Sequence, residues 1–306
     1  MKIVVAGGNG FIGGHFVARA IARGHEVTVC ARSPRDRLDA PRPHAVITGG
    51  LEQLVDEFDR YADADVICHF ASSTVPATSN ADPARDITDN LVQTVRLLDA
   101  MRDSGCKRIV YLSSGGAVYG VPKYSPIDED HPQNPISSYG IVKSAVERYL
   151  ALYSASGGLS AAVVRPANPY GPGQNPAGQI GAVPVFLGAA REGRPITLYG
   201  DGSTVRDFVY IDDLTDLLTR IVESDVTGVF NCGGGGEGTS LADLIATVEA
   251  VTGRPLAVTR LPARAFDPPL IVLDNARASG LDWRPTVSLE EGVRRTWRAM
   301  QGEASQ

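Results

Sequence analysis

Short apolar runs alternate with helix-periodic stretches along the first half of the chain. Residues 2–6, Lys2-Ile3-Val4-Val5-Ala6, read as a strand and lead into Gly7-Gly8-Asn9-Gly10-Phe11-Ile12-Gly13-Gly14. Phe16, Val17, Ala20 and Ile21 then recur at helical spacing up to Gly24. Further strands are predicted over residues 26–31, 44–48, 66–71, 108–113 and 160–166, with helices over 51–61 and 86–102. Ser137 or Ser138 can cap a later helix, on which Ile141, Val142, Ala145, Val146 and Tyr149 keep the helical period. From about Pro172 the pattern changes to short strands at 196–198 and 208–210 and helices near 214–222 and 241–251, interrupted by glycines at 233–236. This order predicts an α/β chain: a doubly wound parallel sheet with a smaller C-terminal α/β lobe that takes the substrate. The division falls at 1–171 and 172–306, with the chain crossing between lobes and a cleft as the default ligand site.

The first strand, the glycine turn and the helix after it form the opening unit of a Rossmann, dinucleotide-binding fold. Gly7, Gly10 and Gly13 let the backbone turn tightly and approach a pyrophosphate, which sits at the helix N-terminus opened by Phe11 and Ile12. Ligands of such a sheet lie at the carboxyl ends of its strands. Phe70 and Ala71, Ser113 and Pro166 occupy those ends, and all are candidate cofactor contacts. Where an NAD site usually carries an acidic residue for the ribose hydroxyls, the second strand ends Cys30-Ala31-Arg32-Ser33, with Arg35 and Arg37 following. With no carboxylate to repel a 2′-phosphate, Arg32 and Ser33 favour NADP over NAD.

Composition narrows the classes. The chain is 43% apolar and 21% charged, which suits a globular protein with a sizeable core. A net charge of −6 argues against nucleic acid or an anionic membrane as partner. No apolar run reaches membrane-spanning length, and the chain opens on a strand rather than a secretory signal, so a cytoplasmic protein is expected. Cys30, Cys68, Cys106 and Cys232 lie far apart with no CxxC spacing, which predicts buried thiols in a reducing compartment and no metal. His69, inside a strand, reads as structural.

Tyr139 and Lys143 stand one turn apart on one helix face. A neighbouring ammonium favours a phenolate, so such a pair can exchange a proton with an alcohol or a ketone near neutral pH.

Gly7-x-x-Gly10-x-x-Gly13, the serine-rich strand end before Val118-Tyr119-Gly120, and Tyr139-x-x-x-Lys143 occur in that order. Together they resemble the extended short-chain dehydrogenase/reductase family, specifically its nucleotide-sugar, UDP-glucose 4-epimerase-like epimerases and dehydratases. The likeness runs over nearly the whole chain. It implies that Tyr139 moves the proton, and that Lys143 lowers its pKa and holds the nicotinamide ribose. It also implies that Asn168, in Arg165-Pro166-Ala167-Asn168-Pro169-Tyr170-Gly171-Pro172, touches a nucleoside diphosphate sugar. Arg206, in the segment 200–208, and Arg264 and Asp267 correspond to the residues that hold the diphosphate and ribose; Tyr199 can stack on the base. Two departures stand out. The serine or threonine expected five residues before Gly120 is Gly115, a substrate-side position, which leaves Ser114 as the hydroxyl to replace it. Gly116 and Ala117 replace the Asp-Glu pair of the 4,6-dehydratases, which argues against dehydration. The resemblance thus implies a UDP-sugar 4-epimerase; the alternatives are an NADPH-dependent 4-ketoreductase of a nucleotide deoxysugar and a silent NADP(H)-binding regulator. By the same analogy, the helices at 86–102 and 138–154 imply a homodimer.

Overall fold

The structure, a computed structural model, describes residues 1–33, 41–176, 181–263 and 268–302. In the first unit, strands β1 (Lys2–Ala6), β2 (Glu26–Ala31), β3 (Ala45–Thr48), β4 (Val66–His69), β5 (Arg108–Leu112) and β6 (Ser160–Pro166) alternate with helices. These are α1 (Phe11–Ala22), α2 (Leu51–Asp56), α3 (Pro83–Asp86), α4 (Gln93–Arg102) and α5 (Ser138–Gly157). The rest of the chain adds β7 (Asn168–Tyr170), α6 (Ala182–Glu192), β8 (Ile196–Tyr199), β9 (Val205–Arg206), β10 (Phe208–Tyr210), α7 (Ile211–Glu223) and β11 (Gly228–Cys232). It closes with β12 (Thr239–Ser240), α8 (Leu241–Thr252), β13 (Val258–Leu261), β14 (Leu270–Ile271), α9 (Ala276–Ser279) and α10 (Leu289–Met300).

The main sheet has seven strands in the order β11-β6-β5-β4-β1-β2-β3. The pairings from β3 through β6 are all parallel. The strands read as near-continuous apolar runs because helices cover both faces of a parallel sheet. Beneath one face Val4, Ile67, Ile109, Leu97, Leu98, Met101, Val146 and Leu150 pack as one cluster. The strand order reverses between β1 and β4, so the loops after these two strands open beside one another, the usual ligand site of this architecture. The doubly wound α/β sheet is therefore as predicted, with a seventh strand, β11, that the pattern did not single out.

Two predicted helices are broken. Residues 51–61 divide into α2 and a 3₁₀ turn at Phe58–Tyr61. The long helix at 86–102 begins earlier, at Pro83, and passes through a π turn at Ile87–Val92 before α4. The chain separates into two compact units: Met1–Val118 with Ser137–Arg165 and Thr215–Phe230, and Tyr119–Ile136 with Pro166–Leu214 and Asn231–Gln306. In the second unit the small sheets β10-β7, β12-β9-β14 and β13-β8 are held by buried polar joints. Asp207 accepts hydrogen bonds from the amides of Gly234 at 2.7 Å and Leu273 at 3.1 Å, and burial pushes its carboxyl up to about 6. Trp283, fully buried, donates its indole N–H to the Asp213 carbonyl at 2.9 Å. Among the described residues no helix is long and apolar enough to cross a membrane. All four cysteines are free and buried.

Candidate active site

The glycine turn after β1 has the shape a dinucleotide needs. Gly7 takes φ +85°, and a Cβ there would lie 2.7 Å from the Ala71 amide nitrogen, so the loops after β1 and β4 touch with no room for a side chain. A Cβ on Gly13 would lie 2.2 Å from the Gly7 carbonyl oxygen. Gly10 caps α1 without any side-chain hydrogen bond, which leaves the first-turn N–H groups for a ligand. Phe11 and Ile12 open that helix and are half-buried. The cradle, the free helix N-terminus and the strand-order reversal all fit a nicotinamide dinucleotide. Its adenosine end would meet the end of β2, where Arg32 and Ser33 are exposed and Asn9 donates to the Ser33 carbonyl at 2.6 Å. Phe70 anchors the neighbouring loop by an edge contact with Phe16, and Ala71 lines the pocket next to it. Arg35 and Arg37 lie outside the described residues.

That pocket is walled by His69, Ser72, Asp86, Asn90, Thr94, Tyr111, Val142, Tyr139 and Lys143 as well. Helix α5 delivers the last two. Ser137 caps it, its hydroxyl accepting from the Gly140 amide at 3.2 Å, and the four-residue spacing stacks Lys143 beneath Tyr139. The Lys143 ammonium is buried, donates to the Leu112 carbonyl at 2.7 Å, and lies 4.7 Å from the Tyr111 ring centre and 5.6 Å from that of Tyr139.

The electrostatics differ from the simple picture of an ammonium acidifying a phenol. Burial pushes the Tyr139 phenol up to about 12; a hydrogen bond with the Ser114 hydroxyl pulls it down, and Asp86 adds to the rise. Burial likewise draws Lys143 down to about 8, against the upward pull of Glu147 and Asp86. Removal from water is the largest cause of both shifts. Ser114, rather than Lys143, is the group that lowers the phenol. His69 is held neutral by burial, with its value near 3, and its Nε2 meets the Thr94 hydroxyl at 2.9 Å, in keeping with a structural role.

Two acids in or beside this pocket carry no sequence motif. Asp86, fully buried at the end of α3, accepts from Thr74 at 2.6 Å, from Asn90 at 2.8 Å and from the Ser138 hydroxyl at 2.7 Å. It thereby ties the start of α5, one residue before Tyr139, to the π turn and to the loop after β4. Glu147 sits one turn below Lys143, paired with Arg165 and with the Ser113 hydroxyl. Period-based reading missed both because an acid on a helix normally marks a solvated face. The signal available was Lys143 to Glu147 at i,i+4 on a face otherwise apolar.

Gly115 is buried after the β5 end, next to Ser114. Pro166 ends β6 and is buried. Asn168 lies in the second unit, where its side-chain amide donates to the Asp207 carbonyl at 2.8 Å. Arg206 donates one Nη1 to the carbonyls of Val205 and Pro268, both at 2.8 Å. Tyr199 ends β8 and is half-buried. Arg264 and Asp267 lie outside the described residues. The structure thus brings Tyr139, Lys143 and Ser114 near one another, while Asn168, Tyr199 and Arg206 belong to the other unit.

A doubly wound sheet with a glycine cradle beside a Tyr-Lys pair is the architecture of a nicotinamide-dependent enzyme. The chain belongs to the NAD dependent epimerase/dehydratase family, whose sequence pattern matches residues 3–233. The UDP-glucose 4-epimerase of Mycolicibacterium smegmatis is 36% identical over 310 residues, covering 97% of each chain. The solved UDP-glucose 4-epimerase of Thermotoga maritima with UDP-glucose is similar at TM-score 0.93 and 34% identity, over 99% of both chains. That of Thermus thermophilus in complex with NAD reaches TM-score 0.91 at 34% identity, over 99% of this chain and 100% of the other.

Proposed function

We propose that the chain is a UDP-sugar 4-epimerase that inverts C4 through a transient ketone. The observation that carries this reading is the buried Lys143 ammonium 5.6 Å from the Tyr139 ring centre, in a pocket beside the glycine cradle. Tyr139 takes the proton of the C4 hydroxyl and returns it after the ketone has turned. Ser114, in place of the hydroxyl missing at Gly115, steadies the reacting oxygen and the phenolate. Lys143, as an ammonium, stabilises the phenolate form in which Tyr139 accepts that proton. Gly7, Gly10 and Gly13 would hold the pyrophosphate of a nicotinamide dinucleotide, which would supply a reversible acceptor for the C4 hydride and leave net redox at zero. Asn168, Tyr199, Arg206, Arg264 and Asp267 bind the nucleoside diphosphate in this scheme. Arginine suits that task because its forked donors match phosphate oxygens.

Incubation of the purified protein with UDP-glucose and UDP-N-acetylglucosamine, with no added cofactor, yields the C4 epimers. Absence of epimer together with NADPH oxidation by a 4-keto sugar would instead support the 4-ketoreductase reading. One observation favours that second reading: the exposed Arg32 at the end of β2, which suits the 2′-phosphate of NADP. The mass of the dinucleotide released on denaturation decides between NAD and NADP. The buried free thiols suit a reducing compartment. We also assign a homodimer to the exposed apolar face of α5, where Ile141, Tyr149 and Leu152 are 55%, 38% and 54% exposed.

A further inference from the structure

The end of β5 is laced to α5 at three consecutive residues. The Leu112 carbonyl accepts from Lys143, the Ser113 hydroxyl donates to Glu147, and Ser114, next in line, is the side chain that lowers the Tyr139 phenol. Residues 139, 143 and 147 recur every four positions, so three successive turns of one face meet the strand end, two of them by a direct hydrogen bond. The last grip is the stiffest. Arg165 donates its Nε to both Glu147 carboxylate oxygens, at 3.0 and 3.2 Å, and its Nη2 to Oε2 at 2.5 Å. The two side chains are 5% and 6% exposed. From its other side Ser113 donates its amide to the Val164 carbonyl at 2.8 Å, so β6 and α5 fix it together.

A buried ion pair is a poor stability device, since an apolar pair of similar volume often serves a fold as well or better. What a forked Arg–carboxylate pair does supply is a fixed direction for each oxygen. We propose that Glu147 is a positioning residue. Clamped by Arg165, it holds Ser113, and through Ser113 it sets where the adjoining Ser114 hydroxyl meets Tyr139. The proposal rests on the 4-epimerase reading for its kinetic consequence and on geometry alone for its structural one.

Glu147→Gln would leave the Arg165 guanidinium buried without its counter-charge, so the test removes the link and keeps the pair. Ser113→Ala, Ser114→Ala and the double variant form a cycle, read by epimerisation of UDP-glucose and by thermal melting. Ser113→Ala lowers kcat about tenfold with KM unchanged, the scale of a small displacement of a reacting group. In the Ser114→Ala background the same change alters kcat by less than about twofold, because Ser113 then has nothing left to position. A wild-type kcat for Ser113→Ala, or costs that multiply across the cycle, overturns the proposal. A second readout needs no turnover. The ¹³Cζ signal of Tyr139, assigned by its loss in Tyr139→Phe, moves in Ser113→Ala as it does in Ser114→Ala. An unmoved signal overturns the proposal even if the wild-type protein epimerises nothing, an outcome that would remove only the 4-epimerase reading.

Discussion

In the proposed reaction Tyr139 is the residue on which the chemistry turns, and its surroundings shift its acidity. A phenol pushed to about 12 by burial is a poor base by itself, and the Ser114 hydrogen bond is the counterweight the pocket supplies. Tyr139→Phe removes the exchangeable proton and little else. We expect kcat to fall by roughly 10²–10⁴, the usual contribution of a positioned acid or base. Calorimetry with UDP should give an unchanged affinity; an active Phe variant would take the tyrosine out of the mechanism. Lys143 sets a pH limit. Its folded value, about 8, lies below the roughly 10.4 of a free lysine, so above about pH 8 the folded protein loses a proton that the unfolded chain keeps. Two opposite trends follow. An activity that needs the ammonium falls as pH rises through about 8, whereas the contribution of Lys143 to stability rises between about 8 and 10.4. A pH profile of kcat/KM checks the first. The sequence has four lysines, and the other three are exposed, so ¹³Cε NMR reads the Lys143 midpoint against them.

At the scale of elements, the glycine turn was legible because a tight approach of backbone to backbone leaves only one residue type. Gly7 and Gly13 meet Ala71 and the Gly7 carbonyl at distances no side chain tolerates. Gly13→Ala should cost on the order of 1–3 kcal/mol through overpacking. It should also empty the protein of dinucleotide, checked by the melting temperature and by the cofactor released on denaturation. The capped start of α5 and the Tyr139–Lys143 pair were legible too, from a serine before an apolar period. The break of the 86–102 helix was not. Its residues are helix-compatible throughout, and the π turn at Ile87–Val92 follows from tertiary demands, since Asp86, Asn90 and Thr94 all reach the same pocket. Such π turns gather at functional sites. β11 was missed for a related reason: Gly228–Cys232 runs into a glycine cluster, and local pattern did not single it out.

For the whole molecule, alternation of strand and helix sufficed to predict a doubly wound sheet, because a parallel strand buried on both faces leaves a plain apolar run. The second unit was harder to read. Its strands are two to four residues long at β8, β9, β10, β12 and β14, too short to impose a period. It is held instead by joints such as Asp207 to Gly234 and Leu273, and Asp213 to Thr286 and Val287. Assembly is the prediction that belongs at this scale. Ile141 and Leu152 lie on one line along α5 with Tyr149 beside it, an apolar strip that water does not favour. Light scattering should give the mass of two chains for the wild type and of one for Leu152→Glu; a monomeric wild type would remove the dimer.

The lacing of β5 to α5 bears on what sequence drift this fold can absorb. Lys143 is gripped through a main-chain oxygen, so the side chain at 112 is free to change within the limits of the core without loosening the grip. An added or lost residue before Ser114 is another matter, for it would hand each helix partner the wrong neighbour along the whole seam. Insertions and deletions should therefore be tolerated only beyond Ser114, toward the exposed Gly116, and a library selected for epimerase activity should recover them there alone.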